Sequence, residues 1–175
     1  MNDAIPNEVL LEIIQIQTEI ASQGIDLGSI MNLVAIKSQA ITHSDGASVE
    51  LLEDQELVYR SASGLAEPSL GLRLQLANSL SGECIQSRLP LISQDIETDN
   101  RVNKAACRQI GLQSMIVVPL QFKEDVVGVL KVLSAKPHVY TEQSITILNL
   151  MSGLIAAAMH TAMANDSTEL FYKAT

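Results

Sequence analysis

The chain has 175 residues, 47% of them hydrophobic, enough to bury a core as one domain with room for helical extensions. Its 11 Lys and Arg against 20 Asp and Glu give a formal net charge of −9 with no basic cluster, so no face is suited to neutralising phosphates, and nucleic acid is not an expected partner. The opening MNDAIPNEVL has no basic segment followed by an apolar one, no uninterrupted run of about 18 apolar residues occurs, and Cys84 and Cys107 stand in no C-x-x-C or zinc spacing; a soluble, cytoplasmic chain with two reduced packing thiols and no membrane partner is expected.

Val9, Ile13, Ile16 and Ile20 recur at helical spacing between Pro6 and Gly24, which predicts a first helix. Asp26 is placed to cap a second, with Ile30, Leu33, Val34 and Ile41 as its apolar stripe. The period then shortens. GASVELLE and ELVYRSASG are rich in β-branched and aromatic residues and read as a strand pair. A short helix is predicted in SLSGECIQS, an extended segment in LPLIS, and a polar, mobile loop in QDIETDNRVNKAACRQIG, helical near its end and stopped by Gly111.

SMIVVPLQFKEDVVGVLKVLS carries two nearly unbroken apolar runs around Phe122 to Asp125, the pattern of a hairpin of central strands covered on both faces. Thr141 and Glu142 then open a long helix through Ile145, Leu148, Ile155 and Met159 that is apolar on more than one face and therefore needs two neighbours. Hairpin-joined strands between terminal helices make an α+β sandwich: an antiparallel sheet with helices on one face.

That order resembles a GAF domain, the small-molecule-sensing relative of PAS domains. ASVELLEDQELVYRSASG is similar to the family's first hairpin, SLSGECIQSRLPLISQD to its small-helix signature, and GLQSMIVVPLQFKEDVVGVLKVLS to its hallmark hairpin. The resemblance runs from about Leu27 to Ala164. It implies a GAF/PAS-like six-stranded antiparallel sheet with terminal helices on one face and a ligand cavity on the other. The organisation expected is a helix over residues 1–24, a GAF domain over 25–164, and the start of a linker helix over 165–175.

Carried over residue by residue, the resemblance places Ser48 and Glu50 on the cavity face of the first strand, a pairing that the two-residue strand period allows. Leu80 and Cys84 match the small helix over the pocket, Asp95 the loop after the next strand, Ser114 the start of the hairpin, and Lys131 a cavity position on its second arm. Glu50 and Lys131 are placed to meet across the sheet, where a buried charge requires a partner or a ligand. A small polar or anionic metabolite is the expected ligand, and no cofactor is named by the sequence.

More specific chemistries of the family fit poorly. Cyclic-nucleotide-binding members carry Asn-Lys followed by Phe and Asp-Glu; here Asn103-Lys104 is followed by Phe122 with no Asp-Glu after it, so the pair reads as surface loop. Bilin-binding members attach the pigment through a Cys followed by His, whereas Arg108 follows Cys107. Free methionine sulfoxide reductases use three cysteines against two in this chain, and Met115 stands where a substrate-gripping acid would be sought. None of His43, His138 and His160 falls at the expected cavity, which leaves haem without a ligand.

The tail ELFYKAT resembles the segment that leads into a GGDEF diguanylate cyclase domain. The reading is a regulatory sensor without catalysis of its own, controlling a C-terminal diguanylate cyclase in cyclic di-GMP signalling. It is expected to form a homodimer through its N- and C-terminal helices. The alternatives are a stand-alone enzyme like the free methionine sulfoxide reductases and a ligand-free dimerisation scaffold.

Overall fold

The six strands pair antiparallel throughout, and local sequence explains where the two tight hairpins turn. In a computed structural model, which describes residues 4–22 and 26–173 with side chains through Thr161, α1 spans Asn7–Ser22 and α2 spans Leu27–Ile41. Gly24, expected to end α1, lies outside the described residues. Asp26 caps α2 by accepting the Gly28 N–H at 3.1 Å. Strands β1 (Gly46–Glu53) and β2 (Glu56–Gly64) are joined by Asp54 and Gln55, both left-handed at φ 49° and 69°, the conformation that a two-residue turn between twisted strands demands.

A three-residue strand β3 (Arg73–Gln75) follows a 3-10 turn at Glu67–Ser69. Then come α3 (Leu80–Ser87), β4 (Leu91–Ser93), α4 (Lys104–Gln109), the hairpin β5 (Ser114–Phe122) and β6 (Asp125–Ser134), and α5 (Glu142–Lys173). Thr141 and Ser144 open α5 reciprocally, each hydroxyl accepting the other's backbone N–H at 3.2–3.3 Å. The six strands lie in the order β3-β2-β1-β6-β5-β4, and every pair is antiparallel. The α+β architecture expected from the sequence is the one observed.

The sheet divides two cores. On one face α2 and α5 pack on the central strands, burying Val34, Val49, Ile116, Leu130, Leu148 and Ile155, and α1 closes over α2 and α5 with Ile13 and Ile16. The Glu142–Thr161 stretch is long and apolar enough to cross a membrane by length and composition, yet Leu148, Met151 and Ile155 are fully buried in this core, as a packed helix requires. On the other face α3, α4 and the segments around them bury Leu80, Cys84, Ile96, Cys107, Met115 and Leu133. Burial of these two sets supplies the main stabilisation, at about 25 cal/mol per Å² of apolar surface removed from water.

Two glycines permit the close approaches that shape the second face. A Cβ at Gly82 would stand 1.9 Å from the Leu76 carbonyl oxygen, so only glycine lets the start of α3 settle against the strand-exit segment. At Gly128 a Cβ would stand 2.1 Å from the Glu50 carbonyl oxygen, which fixes how closely β6 runs beside β1.

Candidate functional site

A register shift in the first hairpin brings the polar residues of the second face together. Ala47 and Val49 point to the helices, so the alternation of β1 turns Ser48 and Glu50 to the opposite side, where both are fully buried. In the pairing with β2, Val49 lies opposite Ser61 but Glu50 lies opposite Tyr59, leaving Arg60 as the extra residue of a β-bulge. The bulge switches Tyr59 onto the face that carries Glu50. On the other flank Ser48 pairs with Lys131 of β6.

The result is a buried cluster at the centre of the sheet. Lys131 Nζ forms an ion pair with Glu50 Oε1 and donates to Tyr59 Oη at 2.8 Å, and it stands 4.9 Å from the centre of the Tyr59 ring. Ser48 Oγ donates to the same Glu50 Oε1 at 3.1 Å. Glu50 Oε2 has no hydrogen-bond partner among the described residues. Burial acts to push the Lys131 ammonium down, but the Glu50 carboxylate and Tyr59 outweigh it and hold the group above its ordinary value. The Tyr59 hydroxyl is pushed up to about 12, first by burial and then by Glu50.

Above this cluster lies a cavity of about 110 Å³, walled by the sheet residues Tyr59, Met115, Lys131 and Leu133, by the start of α3, and by Val102, Asn103 and α4. Ser79 caps α3 by accepting the Gly82 N–H at 3.0 Å and donates to the Leu76 carbonyl at 2.9 Å. The segment before α4 is tied down through its own polar groups. Arg101 bonds Asp99 and the Ile92 carbonyl at 2.7–2.8 Å, Lys104 reaches the Glu97 carbonyl at 2.7 Å, and Asn103 accepts the Ala106 N–H at 3.1 Å. Ile96 and Val102 are buried beneath it. The volume is below the roughly 300 Å³ at which drug-sized ligand sites begin, so a molecule of a few heavy atoms is what this geometry holds.

Of the residues singled out from sequence, Leu80 and Lys131 line the cavity. Ser48, Glu50 and Cys84 are fully buried behind its wall, Cys84 with its thiol 3.8 Å from the Val117 carbonyl. Ser114 is not brought to it: it shares the strand face of Ile116 and Val118, on the helix side, and its hydroxyl donates to the Lys136 carbonyl at 2.6 Å. Asp95 is also outside the wall, its carboxylate accepting the Glu97 N–H at 2.9 Å to form a local turn. Tyr59, Asn103 and Cys107 line the cavity without having been named as site residues. His160 stands on α5 with its ring 5.8 Å from Phe122, and His43 and His138 occupy left-handed turn positions.

The family model for the GAF domain matches residues 24–160 of the chain. The chain belongs to the GAF family. Solved structures of the same fold include the GAF domain of the Acinetobacter phosphoenolpyruvate-protein phosphotransferase, at 22% identity and TM-score 0.79 over 93% of this chain and 99% of that one. The GAF domain of the corresponding Coxiella burnetii protein is similar at 20% identity and TM-score 0.78 over 91% and 96% of the two chains. The free methionine-R-sulfoxide reductase of Neisseria meningitidis, solved with its substrate, is similar at 17% identity and TM-score 0.79 over 93% and 96%. No curated protein matches the chain. At these identities the likeness establishes a shared fold, and GAF domains as a family are regulatory sensory modules.

Proposed function

We propose that this GAF domain is a cytoplasmic sensor of a small polar or anionic metabolite, and that cavity occupancy regulates a diguanylate cyclase C-terminal to it. The observation that carries the sensor reading is the buried Glu50–Lys131–Tyr59 cluster beneath a mostly apolar cavity. A buried ion pair contributes little net stability compared with apolar residues of similar volume, which makes a binding role the more economical account. The output assignment is supported by the resemblance of Glu169–Thr175 to the segment entering GGDEF domains, although those side chains lie outside the described residues. It is also supported by α5, which runs from the sheet to Lys173 without interruption and would carry a rotation or register change onward.

The proposed assembly is a homodimer through α1 and α5. Leu10, Leu11 and Ile14 on α1 and Leu150 on α5 are between 38% and 60% exposed, and apolar helix faces of this kind favour a helical partner. The reductase reading is disfavoured by thiol chemistry. Attack on a sulfoxide requires a thiolate, but burial first and Glu50 second push the Cys84 thiol up to about 12, and burial raises Cys107 as well.

The test is the product formed from GTP. A protein extended beyond Thr175 is expected to make cyclic di-GMP, residues 1–175 to make none, and Lys131→Met in the longer protein to alter its regulation by the ligand. A gene ending at Thr175, or an extended protein that makes no cyclic di-GMP, overturns the output assignment.

A further inference from the structure

Among the described residues Lys131 is the one charged side chain in the cavity wall, and most of the remaining wall is apolar, including Leu80, Val102, Leu112, Met115 and Leu133. A volume of about 110 Å³ corresponds to about four waters at ~30 Å³ each, and because bonded atoms pack closer than separate waters it suits a molecule of roughly five to seven non-hydrogen atoms. One cation at the end of a small apolar chamber selects a compact monoanion with a short apolar tail. Two of the three Lys131 N–H groups meet Glu50 and Tyr59, which leaves the third without a partner among the described residues.

The ion pair complicates the binding of an anion, and the complication is informative. Glu50 and Lys131 together carry no net charge, so a carboxylate arriving at Lys131 would place two buried anions against one cation. The groups facing the pair are Ser48 on β1, Tyr59 on β2, and the thiols of Cys84 on α3 and Cys107 on α4, and none supplies a second cation. Glu50 Oε2, fully buried and without a hydrogen-bond partner, is the atom open to a proton.

We propose that the cavity takes a short-chain monocarboxylate of about three to five carbons, bound by the Lys131 ammonium while Glu50 takes up one proton from solvent. The inference rests on the sensor reading of this cavity. The balance is one ligand anion and one proton in, with net charge at the site unchanged. The third Lys131 N–H meets the ligand, so the bond from Lys131 to Tyr59 stays in place while the ion pair with Glu50 becomes a hydrogen bond to a neutral carboxyl. The tail lies against Leu80, Met115 and Leu133, and each added methylene strengthens binding about fourfold until the chamber is full.

Calorimetric titration of residues 1–175 with butyrate at pH 7, in two buffers of different ionisation enthalpy, counts the protons. Expected are saturable binding with about one proton taken up per site, binding with no proton uptake in Glu50→Gln, and at least tenfold weaker binding of butyramide, the neutral isostere. The wild-type proton count stands even where the variant fails to fold. Absence of saturable butyrate binding, binding without proton uptake, or equal affinity for butyramide overturns the inference. If butyrate is inert while native mass spectrometry of the purified protein shows another adduct, the ligand class is wrong and the sensor reading survives; an empty protein in both experiments removes both.

Discussion

Replacing Lys131 by Met removes the cation from a carboxylate that has nowhere else to go. Glu50 is 0% and Lys131 6% exposed, so solvent screens neither charge. The variant loses the ion pair and the 2.8 Å bond to Tyr59, and leaves Glu50 with only the 3.1 Å bond from Ser48. Breaking a buried pair by removing one partner costs about 3–5 kcal/mol, against a total stability of about 5–15 kcal/mol for a domain. With a urea m-value of about 2 kcal/mol per M, the unfolding midpoint should fall by about 1.5–2.5 M. Adding Glu50→Gln should recover most of that loss, because the double variant holds no unpaired buried charge, and the cycle should return a coupling of about 2–3 kcal/mol. Urea unfolding followed by far-UV circular dichroism measures all four proteins. A single variant that loses less than about 1 kcal/mol, or a double variant as poor as the sum of its singles, would refute the reasoning, since the pair would then be hydrated or absent.

The titrations set a pH profile for stability. Tyr59 and Cys84, both pushed up to about 12 from 10.0 and 9.0, bind their protons more tightly when folded, so their stabilisation is complete below about pH 9 and drains away between pH 9 and 12. Asp99, held down to about 2 from 3.8 by its hydrogen bond from Arg101, contributes fully above about pH 4 and loses its contribution as pH falls towards 2; urea midpoints that rise from pH 9 to 12, or from pH 4 to 2, would contradict these signs. Both thiols should react slowly with a colorimetric disulfide reagent in the native protein and quickly in denaturant, because each is buried and protonated, and fast native labelling of Cys84 would show an opening of α3 absent from the structure. Light scattering at micromolar concentration should report a dimer, and Leu11→Glu with Ile14→Glu on the exposed face of α1 should weaken it; a monomer at all concentrations would remove the proposed interface.

Sequence patterning was most legible where one kind of pattern, in composition or in spacing, ran for a whole element. The strand pair at Gly46–Glu53 and Glu56–Gly64 follows from its β-branched and aromatic composition, the hairpin at Ser114–Ser134 from two unbroken apolar runs around a polar turn, and the helix from Glu142 from helical spacing. Glu50 and Lys131 came from the family resemblance, and the need of a buried charge for a partner then paired them. Tyr59 was hidden by the bulge at Arg60: unbroken alternation from Ser61 would put Tyr59 on the helix face, and only the register shift delivers it to Lys131. Strand β3 spans three residues, too few to display a period. Family matching located the start of β5 correctly but not the face of Ser114, which the common parity with Ile116 assigns to the helix side. The wall made by Val102, Asn103 and Cys107 depends on side-chain bonds within a polar segment, which carry no periodic signature.

Whether the cavity over Lys131 binds a small molecule is read most directly by native mass spectrometry of freshly purified residues 1–175. The expected result is an adduct of small-metabolite mass at one per chain, retained by the wild-type protein and lost in folded Lys131→Met. A bare wild-type mass that stays bare after incubation with candidate metabolites, or an adduct held equally well by Lys131→Met, would contradict it.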